Sequence, residues 1–378
     1  MKKKSLLHIL MTDYSVDSRV RNETVYLAKD NYNVTVYCLK SEKLNMDELR
    51  EGVSLKRFGL VGNKIITFLS AYLFMFFYSF TKKIDCVHAH DVNALPAAYL
   101  IAKIKRVPFI YDSHELWSQS HHSISSKIIL NTVATMEKFF AKRAAQIITV
   151  SDSIKEYMKP YFKNENIEVI RNIPSYTHSG EYDLFREKFN IDKNKKIYLY
   201  QGLISESRGV GLIAQAVINI SKKEDNSIFF FLGDGPYLKE LKNIVKKENM
   251  ENKILILGSI DQQELLKYTK SADIGIHAIY NSCLNHDYCL PNKLFEYIHS
   301  GLVLVMTDLT ELKKFVEENK IGLTFKDNSV ESLEKQLLKL LTDEELFKEY
   351  RQNSIALANK ITWDNEYQKL KSIYRIVC

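Results

Sequence analysis

At 378 residues the chain is too long for one ordinary hydrophobic core and fits two domains of usual size. Its hydrophobic fraction of 46% and charged fraction of 26% are those of a soluble globular protein, and the net charge of +7 is spread along the chain rather than gathered in one basic block. That balance favours anionic partners, such as phosphates or an acidic membrane surface, without singling out nucleic acid, for which no motif is present. Five cysteines, Cys38, Cys86, Cys283, Cys289 and Cys378, are odd in number, scattered and without a CxxC pair. A reduced, cytoplasmic protein is the expectation.

Leu6 to Met11 opens the chain as an apolar run, but Thr12-Asp13 interrupts it before signal-peptide length, so it reads as a first buried strand. A turn-rich segment, Thr12 to Ser18, leads into a helical pattern through Val20, Thr24, Leu27 and Ala28, and then into the β-branched and aromatic strand Val34 to Leu39. Strand Val53 to Phe58, an apolar helix from Ile65, strand Cys86 to His88, helix Leu95 to Ile104, strand Phe109 to Tyr111, a long helical region to Ala145 and strand Ile147 to Val150 continue the alternation. Ile65 to Phe80 is nearly unbroken apolar sequence between Lys64 and Lys82-Lys83. As a helix it reaches roughly 24 Å, short of a hydrocarbon core of about 30 Å. A buried helix is therefore expected in preference to one lying on a membrane.

Around Asn172 to Asn194 the pattern lapses into Pro174, Ser175, Gly180 and mixed polar residues. The linker is placed at 174–194, between a first domain at 1–173 and a second at 195–360. The second series runs through strand Ile197 to Tyr200, helix Leu212 to Ile220, strand Ile228 to Leu232, helix Tyr237 to Lys246, strand Ile254 to Leu257, helix Gln263 to Lys270, strand Ile274 to Ile276, and strand Leu302 to Met306. The final stretch, Glu331 to Tyr374, is helical by pattern. Strands alternating with helices imply α/β architecture: two Rossmann-like domains, each a parallel sheet covered on both faces, with ligand loops at the strands' carboxyl ends and a cleft between the domains.

Between the last two strands lies LPNKLFEYIHSG, Leu290 to Gly301. Pro291 suits the start of a short helix and Gly301 its end. The first N–H groups of that helix, around Asn292, Lys293 and Leu294, lack intrahelical partners and carry the positive end of the dipole, a setting for an anion to which Lys293 adds a full charge. Glu296, one turn along, can accept hydrogen bonds from two neighbouring hydroxyls. Phosphate at the tip and a sugar one turn deeper describe a nucleotide, while the plain alternative is an amphipathic helix burying Leu294, Phe295 and Ile298.

Other loops join it. Gly233-Asp234-Gly235-Pro236 follows a strand and precedes a helix, where glycines let the backbone turn sharply and approach a ligand. Gly202 to Gly209, GLISESRG, holds the same place after the first strand of the second domain and supplies Arg208, a permanent cation that grips phosphate bidentately. Gly258-Ser259-Ile260 is a third loop of this kind. In the first domain His88-Ala89-His90-Asp91 ends a strand, and alternation puts both imidazoles on one face, an arrangement that suits a metal site. His114-Glu115 ends the next strand-like run and is expected near His90. No Asp-x-Asp pair is present, which argues against a metal-diphosphate clamp.

LPNKLFEYIHSG with its following strand, GDGP after a strand, the YQGLISESRGV loop, HAHD followed by YDSHELW, VIRNIP at the linker, and the closing TWDNEYQKLKSIY together resemble retaining family 4 glycosyltransferases, of the glycogen-synthase-like clan, with the GT-B fold. The resemblance spans nearly the whole chain and implies that 361–378 forms a helix returning to the N-terminal domain. It implies a nucleotide diphosphate sugar as donor, a glycan or lipid-linked acceptor, and no cofactor or metal. By the same resemblance Glu296 binds the nucleotide ribose, Arg208 the diphosphate, and His114 lies against the donor sugar. Gly202, Gly233, Gly235, Ile260, Asn292, Lys293 and Leu294 complete the expected nucleotide set; Asp13, Arg19, His90 and Asp91 are placed on the acceptor side. Two departures stand out: Tyr288 where the family commonly has Glu, and Leu203 where it often has Arg.

The expected reaction is transfer of a sugar to an acceptor hydroxyl with retention, in bacterial cell-surface polysaccharide or glycoconjugate synthesis. The excess positive charge and the Ile65 segment suggest peripheral attachment to the inner face of an anionic plasma membrane. The alternatives are a sugar-nucleotide epimerase on the same architecture, a metal hydrolase built on His88, His90 and Asp91, and a non-catalytic nucleotide-sugar-binding module.

Overall fold

Apolar β-branched and aromatic runs, each followed by a helix, build two sheets. The computed structural model describes residues 3–40, 44–59, 62–120, 126–175, 180 and 182–378. Two compact units are present, Met1–Asn172 together with Trp363–Cys378, and Ile173–Thr362.

The first unit contains β1 (Ser5–Leu10), α1 (Ser18–Lys29), β2 (Asn33–Leu39), β3 (Asp47–Arg50), β4 (Val53–Phe58), α2 (Lys64–Phe80), β5 (Cys86–His90), α3 (Leu95–Lys105), β6 (Phe109–Asp112), α4 (Lys127–Ala141), β7 (Gln146–Thr149), α5 (Asp152–Phe162) and β8 (Ile167–Val169). Its sheet has the order β3-β4-β2-β1-β5-β6-β7-β8. Every pairing is parallel except the edge strand β3, which runs antiparallel to β4. Short polar residues start the helices: the Asp17 carboxylate accepts from Val20 N–H at 3.0 Å, and Ser126 and Ser151 do the same for α4 and α5. Pro96 sits in the first turn of α3, where its missing N–H costs nothing.

The second unit opens with α6 (Leu184–Phe189), inside the stretch expected to be a plain linker. Phe185 is buried there and stacks on Phe230 with ring centroids 3.9 Å apart, so burial orders this stretch where composition alone suggested none. There follow β9 (Lys196–Gln201), α7 (Val210–Lys223), β10 (Ser227–Leu232), α8 (Leu238–Lys247), β11 (Ile254–Gly258), α9 (Gln262–Lys270), β12 (Ile274–His277), α10 (Leu284–Tyr288), α11 (Asn292–His299), β13 (Val303–Thr307), α12 (Thr310–Asn319), β14 (Gly322–Phe325), α13 (Val330–Thr342) and α14 (Glu344–Ala358). The all-parallel order is β11-β10-β9-β12-β13-β14, with apolar clusters on both faces. The last helix, α15 (Trp363–Val377), belongs to the first unit, where Trp363, Leu370 and Tyr374 pack with Val20, Val36 and Ile110.

One expectation is overturned. α2 is not a buried helix: Ile66, Leu69, Leu73, Phe74, Phe77 and Phe80 are each about half exposed or more. The side chains it buries are Thr67, Ala71, Met75 and Ser79. No helix among the described residues is long and apolar enough to cross a membrane.

Candidate active site

In the second sheet β9 and β12 are neighbours although the winding direction reverses between them, and such a switch point leaves a crevice at the carboxyl edge. The loops after β9, β10 and β11 are tied together there by main-chain hydrogen bonds. Gly202 N–H donates to the Leu232 carbonyl at 2.8 Å, Ile204 N–H to that of Asp234 at 2.9 Å, and Gly233 N–H to that of Gly258 at 2.7 Å. A Cβ at Gly233 (φ +140°) would come within 1.8 Å of the Gly202 carbonyl oxygen, and one at Gly235 (φ +155°) within 2.3 Å of the Ile204 carbonyl oxygen. Gly233 and Gly235 thus let the loop after β10 close on the loop after β9. Ile260 is half-buried against the core below.

Gly202 has another use. A Cβ there would meet Lys293 Cε at 2.2 Å and Nζ at 2.7 Å, so its absence lets the Lys293 side chain cross the end of β9. Lys293 comes from the first turn of α11, whose N-cap is Pro291 in extended conformation, outside the helix proper. Leu294 N–H donates to the Pro291 carbonyl at 3.0 Å, so that donor, expected to be open, is already spent.

The ammonium of Lys293 titrates below its usual range: burial lowers it, Glu296 opposes, and the nearby Arg208 guanidinium lowers it again. Arg208 is half-buried at the end of a short 3-10 turn and makes no ion pair among the described residues. Lys293 and Arg208 thus repel one another at the carboxyl edge of this sheet. Beneath them His277, the last residue of β12, is fully buried with neither ring nitrogen hydrogen-bonded. Burial, followed by Lys293, Arg208 and His286, holds that imidazole neutral. Sequence reading passed over His277 as the end of an apolar strand.

One turn along α11, Glu296 Oε2 accepts from Gln201 Nε2 at 2.6 Å. Gln201 Oε1 accepts from Thr269 Oγ1 at 2.7 Å, and Gln201 N–H donates to Tyr297 Oη at 3.2 Å. The carboxylate is therefore aimed by a chain of side chains from β9 and α9. Gln201 was also missed; its only signal was a polar residue closing an apolar strand.

The first sheet has its own switch point between β1 and β5. Asp91 follows β5 with φ +61°, a left-handed conformation that is strained for a residue with a Cβ. Its carboxylate accepts from His114 N–H at 3.0 Å and lies 3.3 Å from His114 Nδ1, while His114 Nε2 lies 3.1 Å from Asp112 Oδ2. Burial alone would lower the His114 pKa, but Asp91 and Asp112 together outweigh it and push it up to about 10. His114 is an imidazolium with a carboxylate on each nitrogen.

Arg19, expected to meet the acceptor, does not reach outward. Its guanidinium is buried and bidentate to Asp112 at 2.8 Å on both arms, donates to the Ile170 carbonyl at 2.8 Å, and lies 3.3 Å from Glu23. The aspartate that holds His114 needs a cation in a dry place, and Arg19 is that cation. His90 is buried as well, its Nε2 2.9 Å from His8 Nδ1 and its ring stacked on that of His88 at 4.4 Å. Asp13 accepts from Ser15 N–H at 2.7 Å and caps a 3-10 turn. Of the four acceptor-side candidates, only Asp13 and Asp91 keep part of their surface in solvent.

Residues 16–173 match the family described as Glycosyltransferase Family 4, and residues 181–356 match Glycosyl transferases group 1. The chain is a family 4 glycosyltransferase. An uncharacterised glycosyltransferase of Methanocaldococcus jannaschii is 23% identical over 95% of this chain and 94% of its own. The α-monoglucosyldiacylglycerol synthase of Streptococcus pneumoniae is 22% identical over 64% of this chain and 56% of its own. Among solved structures, Anabaena HepE in complex with UDP superposes with a TM-score of 0.79 at 14% identity, covering 98% of this chain and 99% of that one. The glycosyltransferase shares their GT-B fold.

Two departures from the family pattern lie at the surface of this glycosyltransferase: Leu203 is 52% exposed, and Tyr288 is half-buried in α10. Among the described residues, two sets of side chains have donor atoms within 4.8 Å of one another, His8 with Glu23, His88 and His90, and His90 with Asp112 and His114. Both fit a cation poorly. The Arg19 guanidinium already lies against Glu23 and Asp112, and the Tyr374 hydroxyl occupies His88 Nδ1 at 2.6 Å and His8 Nε2 at 3.2 Å.

Proposed function

We propose that this glycosyltransferase moves a sugar from a nucleoside diphosphate sugar to an acceptor hydroxyl with retention at the anomeric carbon, in the synthesis of a bacterial cell-surface polysaccharide or glycoconjugate. The observation that carries the donor assignment is the pair of mutually repelling cations, Arg208 and Lys293, with Glu296 one turn further along α11. A diphosphate between them relieves their repulsion, and the ribose hydroxyls then fall to the aimed carboxylate. HepE, of the same fold, is a structure with bound UDP, which supports a uridine nucleotide among the donors to test first.

Negative charge grows on the diphosphate as its bond to the sugar breaks. Arg208, Lys293 and the N-terminus of α11 stabilise that charge more in the transition state than in the ground state. His114, an imidazolium gripped by Asp91 and Asp112, offers a positive charge against the sugar and no basic lone pair, so its part is positional and electrostatic. The acceptor is a glycan or a lipid-linked sugar, and with a lipid-linked acceptor the enzyme works as a peripheral protein on an anionic membrane. A named relative makes a glucosylated diacylglycerol lipid, in keeping with that class of acceptor.

A ligand-observed NMR screen of uridine, guanosine and adenosine diphosphate sugars, with and without chelator, tests the reading. Binding of one donor and slow, chelator-insensitive release of its nucleotide are expected. Isomerised donor in place of glycoside or hydrolysed sugar would overturn the transferase reading, and so would failure of every donor to bind.

A further inference from the structure

The arrangement of α2 is inverted relative to an ordinary surface helix. Thr67, Ala71, Met75 and Ser79, spaced four apart, are buried, while Ile66, Leu69, Leu73, Phe77 and Phe80, spaced three or four apart, form an exposed stripe. Leu73 is 59% and Phe77 64% exposed. A helix that serves only its own core turns its largest apolar side chains inward. The stripe is not isolated. α3 packs beside α2, with Ile104, 45% exposed, and Phe80 bordering one shallow cleft, and α4 on the far side of α3 adds Ile128 at 79% and Phe139 at 47%. Contiguous apolar surface on this scale marks a binding face.

Charge decides what binds it. Residues 62–83, 92–109 and 126–143, which hold the three helices, contain ten Lys and Arg against one acidic residue, a net +9 where the whole chain carries +7, so the remainder of the chain is −2. The one acidic residue, Glu137, is buried and accepts from the Tyr111 hydroxyl at 2.7 Å. A second copy of the chain would set this cationic face against itself. An anionic bilayer satisfies both halves of the pattern, the acyl boundary taking the apolar stripe and the lipid phosphates the Lys and Arg around it.

We infer that the exposed faces of α2, α3 and α4 lie in the plane of an anionic lipid bilayer, with Leu69, Leu73 and Phe77 entering the acyl boundary. This deepens the peripheral attachment proposed above and rests on that reading.

The test is flotation of the full chain with vesicles of phosphatidylcholine alone or with phosphatidylglycerol, at low and high salt, with donor binding followed by NMR in the same samples. Wild type should float with the anionic vesicles only, and less at high salt. Leu73→Glu with Phe77→Glu, both at exposed positions, should lower partitioning about tenfold or more, with unchanged donor binding and thermal unfolding. Lys103→Glu with Lys142→Glu should do so through charge alone. Wild type that stays with the soluble fraction would overturn the peripheral reading and this surface with it, while donor binding in that sample would leave the transferase assignment standing. Anionic binding that both double variants retain would overturn this surface only. A lipid-free dimer that Leu73→Glu with Phe77→Glu dissolves would replace the bilayer by a second copy.

Discussion

Gln201 Nε2 donates a 2.6 Å hydrogen bond to Glu296 Oε2, joining the end of β9 to the second turn of α11. The bond leaves Glu296 Oε1 for a ligand and fixes the carboxylate's orientation before one arrives. Glu296→Gln should weaken nucleoside diphosphate binding about tenfold, since a neutral amide accepts less strongly than a carboxylate. Gln201→Leu, at a residue placed behind the carboxylate, should weaken it by a smaller factor. Calorimetric titration with the nucleoside diphosphate reads both, and unchanged affinity in a folded Glu296→Gln protein would remove the ribose assignment.

Arg208→Ala should lower kcat by about a hundred- to a thousandfold, the range for removing a group that meets developing charge. Gly202→Ala acts at one remove. The added methyl strains a backbone at φ +128° and displaces Lys293, so diphosphate affinity should drop although no ligand-facing atom has been deleted. Steady-state kinetics with the donor that the NMR screen selects checks both, and Arg208→Ala within twofold of wild type would count against the clamp.

Arg19 and Asp112 form a buried, bidentate pair. Arg19→Met takes the two-armed cation from the buried Asp112 carboxylate and leaves it the His114 imidazolium alone, a loss of about 3 kcal/mol of stability. Arg19→Lys should rescue little, because an ammonium cannot reproduce the two-armed contact. Denaturant unfolding measures the difference; a loss under 1 kcal/mol would mean the pair is replaceable by water.

The folded His114 pKa of about 10 lies above its ordinary value of about 6.5. Its stabilising contribution is therefore complete below pH ~6.5 and is lost as pH rises toward about 10. Glu137 is also raised, to about 7, chiefly by burial. A carboxyl raised in the folded state destabilises progressively as pH climbs from its ordinary value of about 4.3 to 7. The Tm difference between wild type and His114→Gln should shrink across the alkaline window, and that for Glu137→Gln should change across the acid one. A His114→Gln difference constant from pH 6 to 10 would deny the imidazolium.

Much of the architecture was written in the chain. Val34 to Leu39 and Ile228 to Leu232 are β-branched or aromatic runs that have to be covered on both faces, and their alternation with helices leaves parallel sheets as the economical solution. The LPNKLFEYIHSG helix was legible too, because Pro291 and Gly301 punctuate it locally. What stayed hidden depends on partners distant in sequence. β3, Asp47–Arg50, has no apolar pattern and exists by pairing with β4; β14 begins with Gly322, whose missing Cβ lets it lie against the Leu304 carbonyl. Arg19 looks like a ligand-binding arginine until Asp112, 93 residues away, is found to hold it. Gln201 and His277 look like polar ends of apolar strands until folding sets them against Glu296 and beneath Lys293 and Arg208. The periodicity of Ile65 to Phe80 fixed a helix, but its nearly uniform hydrophobicity could not say which side faced inward. Tertiary packing decided that, by seating Thr67, Ala71, Met75 and Ser79 inward and leaving Leu69, Leu73 and Phe77 to whatever lies outside.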